Sequence, residues 1–267
     1  MLERLVRRHP RLLRRALAVL RWLRPLREHP LAALPAYVGL LIDWRRYLAA
    51  GGQARLADFY PCLSDRTAQT RIDPHYFHQA VWAMRQLHSE PPAEHVDIGS
   101  DSKFVGMLSV ITRVVFVDIR PLAVQLEHLE CRAGTVLDLP FADASVMSLS
   151  CLHVLEHIGL GRYGDPLDPQ GRVKACRELT RILAPGGRLY LTTPVGQSRV
   201  QFNGQRVFSV EEVLGYFQQL DLVEMALVDP DGHFRSGLNP RQASDLACRD
   251  GQLDFSLGCF VFSRPRI

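Results

Sequence analysis

The chain has 267 residues, of which 47% are hydrophobic, and its formal net charge is +4. This composition is typical of a globular protein and excludes a chain that cannot build a core. The charge is uneven, because residues 1–30 contain nine arginines and two glutamates, which leaves −3 for the other 237 residues. A mildly acidic body argues against a broad nucleic-acid-binding surface.

The N-terminal segment predicts a basic amphipathic helical arm over residues 1–50. Residues 11–24 place leucine, alanine and valine on one arc of a helix and arginine on the other, until Pro25 and Pro30 interrupt the pattern. Arginines also interrupt every apolar run that could serve as a secretory signal, and the apolar stretch 31–42 is too short to span a bilayer.

Three interpretations of this arm are open. It can pack on the main domain, lie on an anionic membrane surface as a peripheral contact, or bind nucleic acid. The scarcity of aromatic side chains for base stacking disfavours the third. The six cysteines form no C-x-x-C pair and several lie in apolar runs, so we expect a reducing compartment and a cytoplasmic location, with membrane association as an open alternative.

Residues 51–94 are expected to form a helical cap or linker. The run 71–87 predicts a helix after Pro74, with apolar residues at helical spacing, that packs across a crevice of the main domain. Pro91 and Pro92 mark the boundary before the next domain.

Residues 95–267 predict an α/β domain. Buried-strand patterns alternate with a helix, which indicates a mostly parallel sheet with helices on both faces. The strands are expected at 95–100, 114–121, 145–151 and 188–194, and the helix at 173–183. Ligands of such sheets bind beyond the carboxyl ends of the strands, where Gly99 and Asp118 fall. We therefore expect a small-molecule crevice at that edge.

The loop after the first strand has one glycine, Gly99, where a dinucleotide site has three in G-x-G-x-x-G. This disfavours a pyrophosphate and an NAD-dependent oxidoreductase. One glycine still permits close approach of a ribose or an amino-acid group, and Ser100 offers a hydroxyl. Asp118, at the end of the second strand, suits the paired hydroxyls of a ribose, with a helix N-cap as the alternative.

This order of motifs resembles class I S-adenosylmethionine-dependent methyltransferases over roughly residues 94–200. The features that carry it are strand-acid-glycine, strand-acid, Leu-Pro-Phe at 139–141, a strand that runs into a helix, and Leu-x-Pro-Gly-Gly at 183–187. The resemblance implies a Rossmann-like, seven-stranded sheet whose last strand is antiparallel. Its remaining strands would be 222–228 and 257–263.

A more specific resemblance is to an uncharacterised bacterial methyltransferase-like family. The runs HVDIGS, VDIRPL, TPVG and FNGQR contribute, and the signature EHIGLGRYGDP is the most specific. The proteins that accompany that family suggest a role in surface-polysaccharide biosynthesis.

The resemblance to class I methyltransferases implies a set of contacts to S-adenosyl-L-methionine. The residues at the methionine end would be Asp97, Gly99 and Ser100, with Asp118 on the ribose and Ile119 against the adenine. The acid that often meets the adenine amine falls on Thr135, so the resemblance points to Asp138 in its place.

The segment His153-Val-Leu-Glu156-His157 follows a strand, and we predict a helix there. Its H-x-x-E-H pattern matches an inverted zinc-peptidase motif, but no third ligand stands at a readable spacing, so we predict no metal. A structural histidine pair is the second alternative. The third is catalytic, with His153 as general base for a hydroxyl acceptor, Glu156 as orienting group or second base, and His157 beside them.

The glycine-rich run 159–171 is too long for a simple connector and predicts a lid or binding loop. We expect Arg162 and Asp165 to contact the acceptor. Asn203 and Arg206 follow the strand that ends at 194 and are expected to face the same crevice. Either arginine can clamp an acidic sugar or a phosphate, and a loop-ordering ion pair is the alternative.

The function favoured by the sequence is methyl transfer from S-adenosyl-L-methionine to a hydroxyl of a sugar or small metabolite. A non-catalytic binding or scaffold domain with a degenerate methyltransferase fold is the alternative from another class. The NAD-dependent oxidoreductase is disfavoured by the missing glycines. The strand before His153 ends in SCLH, which argues against methylation of nucleic-acid amino groups.

Overall fold

A computed structural model describes residues 30–248 and 254–266, apart from the side chains of residues 30–33 and 57. The amphipathic segment predicted at 11–24 lies outside these residues. No helix in the described part is both long enough and apolar enough to cross a bilayer.

The chain divides into two compact units, Met1–Arg71 and Ile72–Ile267. The first contains helix α1, Pro30–Ala49, which is followed by a short 3-10 helix at Leu56–Asp58. Within this unit the indole of Trp44 donates a 3.0 Å hydrogen bond to the carbonyl of Ala54, which holds the segment after α1 against the helix.

The second unit is α/β. Its helices are α2 (Pro74–Ser89), α3 (Ser102–Leu108), α4 (Gly171–Ile182), α5 (Val210–Tyr216) and α6 (Pro240–Ala247), with a 3-10 helix at Leu155–His157. Its strands are β1 (Glu94–Ile98), β2 (Arg113–Asp118), β3 (Leu129–Ala133), β4 (Val146–Leu152), β5 (Leu183–Val195), β6 (Arg199–Gln201), β7 (Gln205–Val207), β8 (Asp221–Val228), β9 (Phe234–Arg235) and β10 (Ser256–Ser263). The predicted strands and the predicted helices at 71–87 and 173–183 are all present.

Eight strands form one sheet in the order β3-β2-β1-β4-β5-β10-β8-β9. The first five in this order are parallel, and β10 is antiparallel to both β5 and β8, as the resemblance implied. The expected number of seven strands is wrong by one, because the two-residue strand β9 pairs with the end of β8 and extends the edge. Such a short strand carries no hydrophobic pattern of its own.

Both faces of the sheet are covered. Successive side chains of a strand point to opposite faces, so β2 divides between two hydrophobic clusters. Val115 and Val117 belong to the cluster that includes residues of α4, α5 and α6, and Val114 and Phe116 to the one with residues of α2 and α3. This is the three-layer arrangement predicted for residues 95–267.

The segment after β4 differs from the predicted helix. Only Leu155–His157 is helical, as a 3-10 turn. The backbone N–H of His153 still pairs with the carbonyl of Thr192 in β5 at 3.0 Å, and its φ of 59° lies in the left-handed region. Gly159, with φ 79°, turns the chain again. The helix prediction over 153–157 was therefore wrong, because the strand pairing and the two turns leave only three residues between them.

Candidate active site

The carboxyl ends of β1, β2 and β4 meet at one cavity in the second unit. From β1 the chain continues to its neighbour β2 on one side, and from β4 it continues to β5 on the other side, so the strand order reverses between β1 and β4. Ligands of open α/β sheets bind at such a reversal. Gly99, Asp118 and Leu152 line the cavity at the three strand ends. The predicted crevice is thus present at the predicted edge of the sheet.

Gly99 forms the turn after β1. Its φ is 67°, a conformation that residues with a Cβ rarely adopt. A Cβ built here would lie 3.3 Å from a methyl group of Val154 and 3.4 Å from Oδ2 of Asp118. The glycine therefore keeps a space open between the end of β2 and the segment after β4.

Asp97 and Ser100 hold this turn from below. The Asp97 carboxylate is fully buried and accepts hydrogen bonds from the Ser100 backbone N–H, at 3.0 Å, and from the Ser150 hydroxyl of β4. The Ser100 hydroxyl accepts a 3.1 Å hydrogen bond from the Leu152 N–H and lines the cavity. Asp97 itself lies beneath the cavity floor and does not line the cavity. Gly99 and Ser100 do line it.

A buried polar chain continues from Asp97 across β4. His95 Nε2 lies 2.8 Å from the Ser150 hydroxyl, and His95 Nδ1 lies 2.7 Å from the Ser148 hydroxyl. Burial lowers the pKa of His95 to about 3, so the ring is neutral and donates on one side while it accepts on the other. Burial also raises the pKa of Asp97 to about 6, although its hydrogen bonds from Ser150 and Ser100 oppose this.

Asp118 stands at the end of β2 on the opposite wall from the segment after β4. Its Oδ1 accepts a 2.6 Å hydrogen bond from the backbone N–H of Arg120. Its Oδ2 is the atom that faces Gly99. Ile119 is 41% exposed and lines the cavity next to Asp118. One carboxylate oxygen is therefore fixed by the backbone while the other is presented to the cavity.

The third wall is the turn 134–137, which follows β3. Thr135, Val136 and Leu137 line the cavity, and Asp138 is not among the lining residues. The Asp138 backbone N–H donates to the carbonyl of Thr135 at 3.1 Å, which closes the turn. The structure therefore brings Thr135 to the cavity, at the position where the family pattern has an acid.

The histidines of the H-x-x-E-H segment converge on Glu156. This carboxylate is fully buried, and Oε1 accepts a hydrogen bond from Nδ1 of His153. Oε1 also lies 3.8 Å from Nε2 of His157, and Oε2 accepts a 3.3 Å hydrogen bond from the hydroxyl of Thr193 in β5. Burial alone would raise the pKa of Glu156, but the positive charge of His153 in its protonated form and the hydrogen bond from His153 outweigh it, so the pKa is lowered.

The two histidines have different environments. The Nδ1 of His153 is bound to a carboxylate, so it carries a proton and Nε2 is left as the basic atom. His157 Nδ1 lies 2.7 Å from the carbonyl of Gly204, an acceptor, so this nitrogen also carries a proton. Burial lowers the pKa of His157, and the nearby Glu156 offsets this only in part. Both rings line the cavity.

Helix α2 places aromatic side chains over His153. The ring of Tyr76 stacks on His153 with 5.0 Å between centroids, and Tyr76 lines the cavity. The His75 ring lies 6.2 Å from His153 and 5.4 Å from Phe255. Burial and the neighbouring His153 lower the pKa of His75 to about 4, so His75 is neutral at pH 7. The helix predicted to cap the crevice does contribute to it.

Residues 159–170 form a loop without helix or strand, Gly171 begins α4, and Asp165 orders the loop. The Asp165 carboxylate accepts hydrogen bonds from the N–H groups of Gly159 at 2.7 Å and Tyr163 at 3.3 Å. At the base of the loop the Asp168 N–H donates to the Gly159 carbonyl at 3.1 Å. Asp165 lines the cavity with its carboxylate already engaged by the loop backbone.

Tyr163 links this loop to the end of β2. The Arg120 guanidinium lies 4.2 Å above the Tyr163 ring, within the range of a cation–π contact, and both residues line the cavity. Arg162 packs on the other side of the loop, 5.0 Å from the same ring, and donates to the Gly204 carbonyl at 3.0 Å. Arg162 is not among the lining residues.

Asn203 and Arg206 belong to the β6–β7 hairpin and lie away from this cavity. Asn203 stands in the turn of the hairpin. Arg206 is only 5% exposed and donates to the carbonyl of Ile158 at 2.5 Å. Its guanidinium lines a second cavity instead. The expectation that both face the crevice is wrong, because a hairpin rather than a direct loop follows β5 and carries these residues behind the segment after β4.

Four site residues were missed by sequence reasoning, namely Tyr76, Arg120, Tyr163 and Thr193. Tyr76 and Tyr163 stand in segments already predicted to close the crevice, so an aromatic residue in a capping helix or a glycine-rich loop was the available signal. Arg120 and Thr193 depend on which strands are neighbours, which the sequence pattern does not reveal.

Comparison with known proteins identifies the fold. Residues 142–224 match the family model described as "Caenorhabditis protein of unknown function, DUF268", which is less than a third of the chain. No curated protein sequence matches the chain.

Solved methyltransferase structures are similar to the chain. The N-methyltransferase NodS from Bradyrhizobium japonicum in complex with S-adenosyl-L-homocysteine is 16% identical with a TM-score of 0.52, over 77% of this chain and 94% of NodS. The putative methyltransferase of Haloferax volcanii, in complex with its activator Trm112, is 19% identical with a TM-score of 0.51, over 72% of this chain and 91% of that chain. At these identities the likeness establishes the class I methyltransferase fold.

The same fold also carries another reaction. The [4+2]-cyclase SpnF is 14% identical with a TM-score of 0.52, over 89% of this chain and 96% of SpnF. Fold alone therefore does not determine the reaction. The closer resemblance to a bacterial family with the EHIGLGRYGDP signature stays a prediction.

The buried Asp97 makes a testable contribution to stability. Because its pKa is raised from 3.8 to about 6 in the folded protein, its stabilising effect is complete below about pH 4 and is lost as the pH rises through 6. Relative to Asp97→Asn, the wild type should therefore lose up to about 3 kcal/mol of unfolding free energy between pH 4 and pH 7. Urea unfolding of both proteins across this range measures the difference.

The exposed Asp143→Asn is the matched control for loss of a carboxylate. A difference between wild type and Asp97→Asn that stays constant with pH would mean that Asp97 does not titrate in this window.

Proposed function

We propose that the chain binds S-adenosyl-L-methionine and transfers its methyl group to a hydroxyl of a small metabolite or saccharide. The observation that carries the proposal is a single cavity that combines the Gly99–Asp118 space with the His153–Glu156 pair. The first is suited to an adenosine-type cofactor and the second to removal of a proton.

The residues present fit this cofactor. The space that a Cβ at Gly99 would fill admits close approach of the methionine and ribose parts, and the hydroxyl of Ser100 lies beside it. The free Oδ2 of Asp118 can accept from the ribose hydroxyls. The turn 134–137, with Ile119, would enclose the adenine between apolar side chains. The cofactor supplies a methyl group on a sulfonium, which is already a strong electrophile.

The protein has to align the acceptor and take up its proton. His153 is placed for the second task, because Nδ1 is bound to Glu156 and Nε2 remains to accept a proton. Glu156 fixes the ring and stabilises the imidazolium that forms, as in other arrangements in which a buried acid orients a histidine. The hydroxyl of Thr193 holds the second oxygen of Glu156.

Tyr76, His157 and Tyr163 complete the wall around His153. Burial and the charge of Glu156 raise the pKa of Tyr76, so its hydroxyl stays protonated and can donate to an acceptor oxygen. Side chains that position an acceptor reduce the entropy lost in reaching an in-line geometry. The loop 159–171 then excludes water from the acceptor. A saccharide of a surface polysaccharide is the acceptor that the family resemblance favours.

A non-catalytic binding domain with this fold is the second candidate. The loop after β1 favours it, because this loop has a single glycine where a glycine-rich loop is the usual pattern. A binding panel of S-adenosylmethionine, S-adenosylhomocysteine and NAD against the purified protein separates the classes. Cofactor binding without transfer to any member of a hydroxyl-acceptor panel would favour the binding domain.

The cofactor site is tested at Asp118. Asp118→Ala should weaken binding of S-adenosylhomocysteine by about 1.5–3 kcal/mol, the usual range for hydrogen bonds to a charged group. This corresponds to a loss of roughly tenfold to a hundredfold in affinity. Calorimetric titration measures it, with Asp221→Ala, at the opposite edge of the sheet, as the matched control. If the folded wild-type protein does not bind S-adenosylhomocysteine, the proposed methyltransferase activity is refuted.

The base is tested at His153. His153→Gln should lower turnover by roughly 10²–10⁴ while cofactor affinity stays nearly the same, because the ring acts on the acceptor. Transfer of labelled methyl to a panel of hydroxylated metabolites and saccharides measures turnover under saturating cofactor. His88→Gln, in the last turn of α2, is the control. Full turnover in single variants of His153, Glu156 and His157 would show that the base lies elsewhere.

We also infer that the protein is cytoplasmic and is held at a membrane surface through its N-terminal segment. Apolar side chains of α1 within one arc of about 120° at helical spacing are exposed. They are Leu34, Val38, Leu41, Ile42 and Leu48. Residues 1–29, directly before α1, carry a net charge of +7, which complements anionic lipid. The two features together favour an anionic bilayer over another protein as the occupant of this face.

The membrane contact is tested by vesicle co-sedimentation. The double variant Val38→Glu with Leu41→Glu should lose most binding to phosphatidylglycerol vesicles, because two charges enter the apolar face. The wild type should also lose binding as salt rises. Val110→Glu, an exposed valine after α3, is the control. Equal sedimentation of the wild type and the double variant would contradict the proposal and favour a helix packed on protein.

A further inference from the structure

A second cavity lies on the other side of the loop 159–171. Its walls come from the base of this loop, the start of α4, the β6–β7 hairpin and the start of α5. Tyr163 and Asp165 of the loop line the first cavity, and Leu167 and Asp168 line the second. One loop therefore forms part of both walls.

Three arginines line the second cavity, and Arg206 is the most buried. Only 5% of Arg206 is exposed, and its one hydrogen bond within the described part of the chain is donated by Nη1 to the Ile158 carbonyl. No carboxylate of the described residues lies within ion-pair distance of it. A buried guanidinium with one backbone partner retains donors for a ligand.

Arg172 adds a second positive charge near Arg206. It donates from Nε to the hydroxyl of Tyr216 at 2.9 Å and from Nη1 to the Pro169 carbonyl, and both of these partners are neutral. Burial and then the charge of Arg172 lower the pKa of Arg206, which places the two guanidinium groups within each other's field. Arg199 lines the same cavity from the hairpin.

The carboxylates at this cavity are engaged elsewhere. Asp168 Oδ2 forms a 2.7 Å ion pair with Lys174, and its Oδ1 accepts from the backbone N–H of Gln170. Glu212 accepts a 2.8 Å hydrogen bond from the Ser209 N–H in the capping box of α5. Neither acid forms an ion pair with Arg172 or Arg206, although Asp168 lies within the field of Arg206.

Apolar side chains surround the charged part. Leu167 is 71% exposed, Val200 is 58% exposed and Phe202 is 75% exposed, and all three line the cavity. Exposed large apolar side chains beside a cavity are a feature of binding sites. The ligand that this cavity fits combines an anionic group with an apolar portion.

We propose that the second cavity binds a phosphate ester that carries an apolar group. Phosphate suits it better than a carboxylate, because the guanidinium groups of Arg172 and Arg206, which stand on different elements, can bind separate oxygens. The role of this ligand rests on the methyl transfer proposed above. In that reaction the phosphate ester is the acidic end of the methyl acceptor. The hydroxylated end then reaches His153 past the loop 159–171.

The hairpin couples the two cavities. The Gly204 carbonyl accepts from His157, in the first cavity, and from Arg162. Arg206 of the same hairpin holds the carbonyl of Ile158, which also lines the first cavity. A ligand bound by Arg206 therefore sits one hydrogen bond away from the backbone that positions the catalytic histidines.

The experiment is calorimetric titration of the full chain with hexyl phosphate, inorganic phosphate and hexanol. Hexyl phosphate should bind at least about tenfold more tightly than inorganic phosphate, because it also buries a six-carbon chain. Hexanol should not bind measurably. Arg172→Gln and Arg206→Gln should each weaken hexyl phosphate roughly tenfold or more. Arg177→Gln, an exposed arginine of the same helix α4, should leave it unchanged.

Binding of S-adenosylhomocysteine is measured on the same proteins and should be unaffected in Arg172→Gln and Arg177→Gln. Circular dichroism reports whether Arg206→Gln is folded, because Arg206 also holds the Ile158 carbonyl at the first cavity. If hexyl phosphate does not bind the wild type, or binds Arg172→Gln as tightly as the wild type, the phosphate site is refuted whatever the cofactor does. If hexyl phosphate binds as expected while S-adenosylhomocysteine does not bind at all, the site stands and the proposed methyl transfer fails.

Discussion

The buried carboxylate of Asp97 joins the two strands between which the sheet reverses its order. It accepts from the turn after β1 through the Ser100 N–H and from β4 through the Ser150 hydroxyl. A buried carboxylate is costly unless it is hydrogen-bonded, so this pair of contacts is needed for the reversal to be stable. The position of Gly99, and with it the space beside Asp118, depends on the same contacts. Asp97 thus supports the cavity although its own side chain does not line it.

The fold was predictable where a local pattern carries the information. Four of the five parallel strands, β1, β2, β4 and β5, are mostly buried runs, and Gly99 and Asp118 stand at the ends of their strands, so the edge of the sheet that carries the cavity could be predicted. The fifth, β3, has the half-buried sequence LECRA and was not predicted. The strand β9 and the β6–β7 hairpin were not predictable, because two or three residues define no period.

The sequence predicted many of the residues near the site, but it predicted less well where their side chains point. The sequence pattern predicted that Asp97 and Arg206 face the crevice, but neither lines it, because the direction of a side chain depends on packing and on hydrogen-bond partners from distant segments. Asp97 turns toward Ser150, 53 residues away, and Arg206 toward Ile158, 48 residues away. The His153–Glu156 contact is local and was inferred as an orienting pair, although the helix expected to hold it is a strained turn.

The loop 159–171 has a narrow base, and this has a consequence for how its relatives can diverge. A Cβ at Gly159 would lie 2.0 Å from the carbonyl oxygen of Asp168, so the two ends of the loop touch and residue 159 has to be glycine. Near Gly164, at the far end, a Cβ would have no neighbour within 4 Å, so the surroundings are open there although the φ of 89° still favours glycine. Compact loops closed at the base tolerate change at the tip. On the proposed function, changes in the side chains at residues 162 and 163 would alter which acceptor is admitted, while Gly159 and Asp165 keep the base of the loop, and with it both cavities, in place.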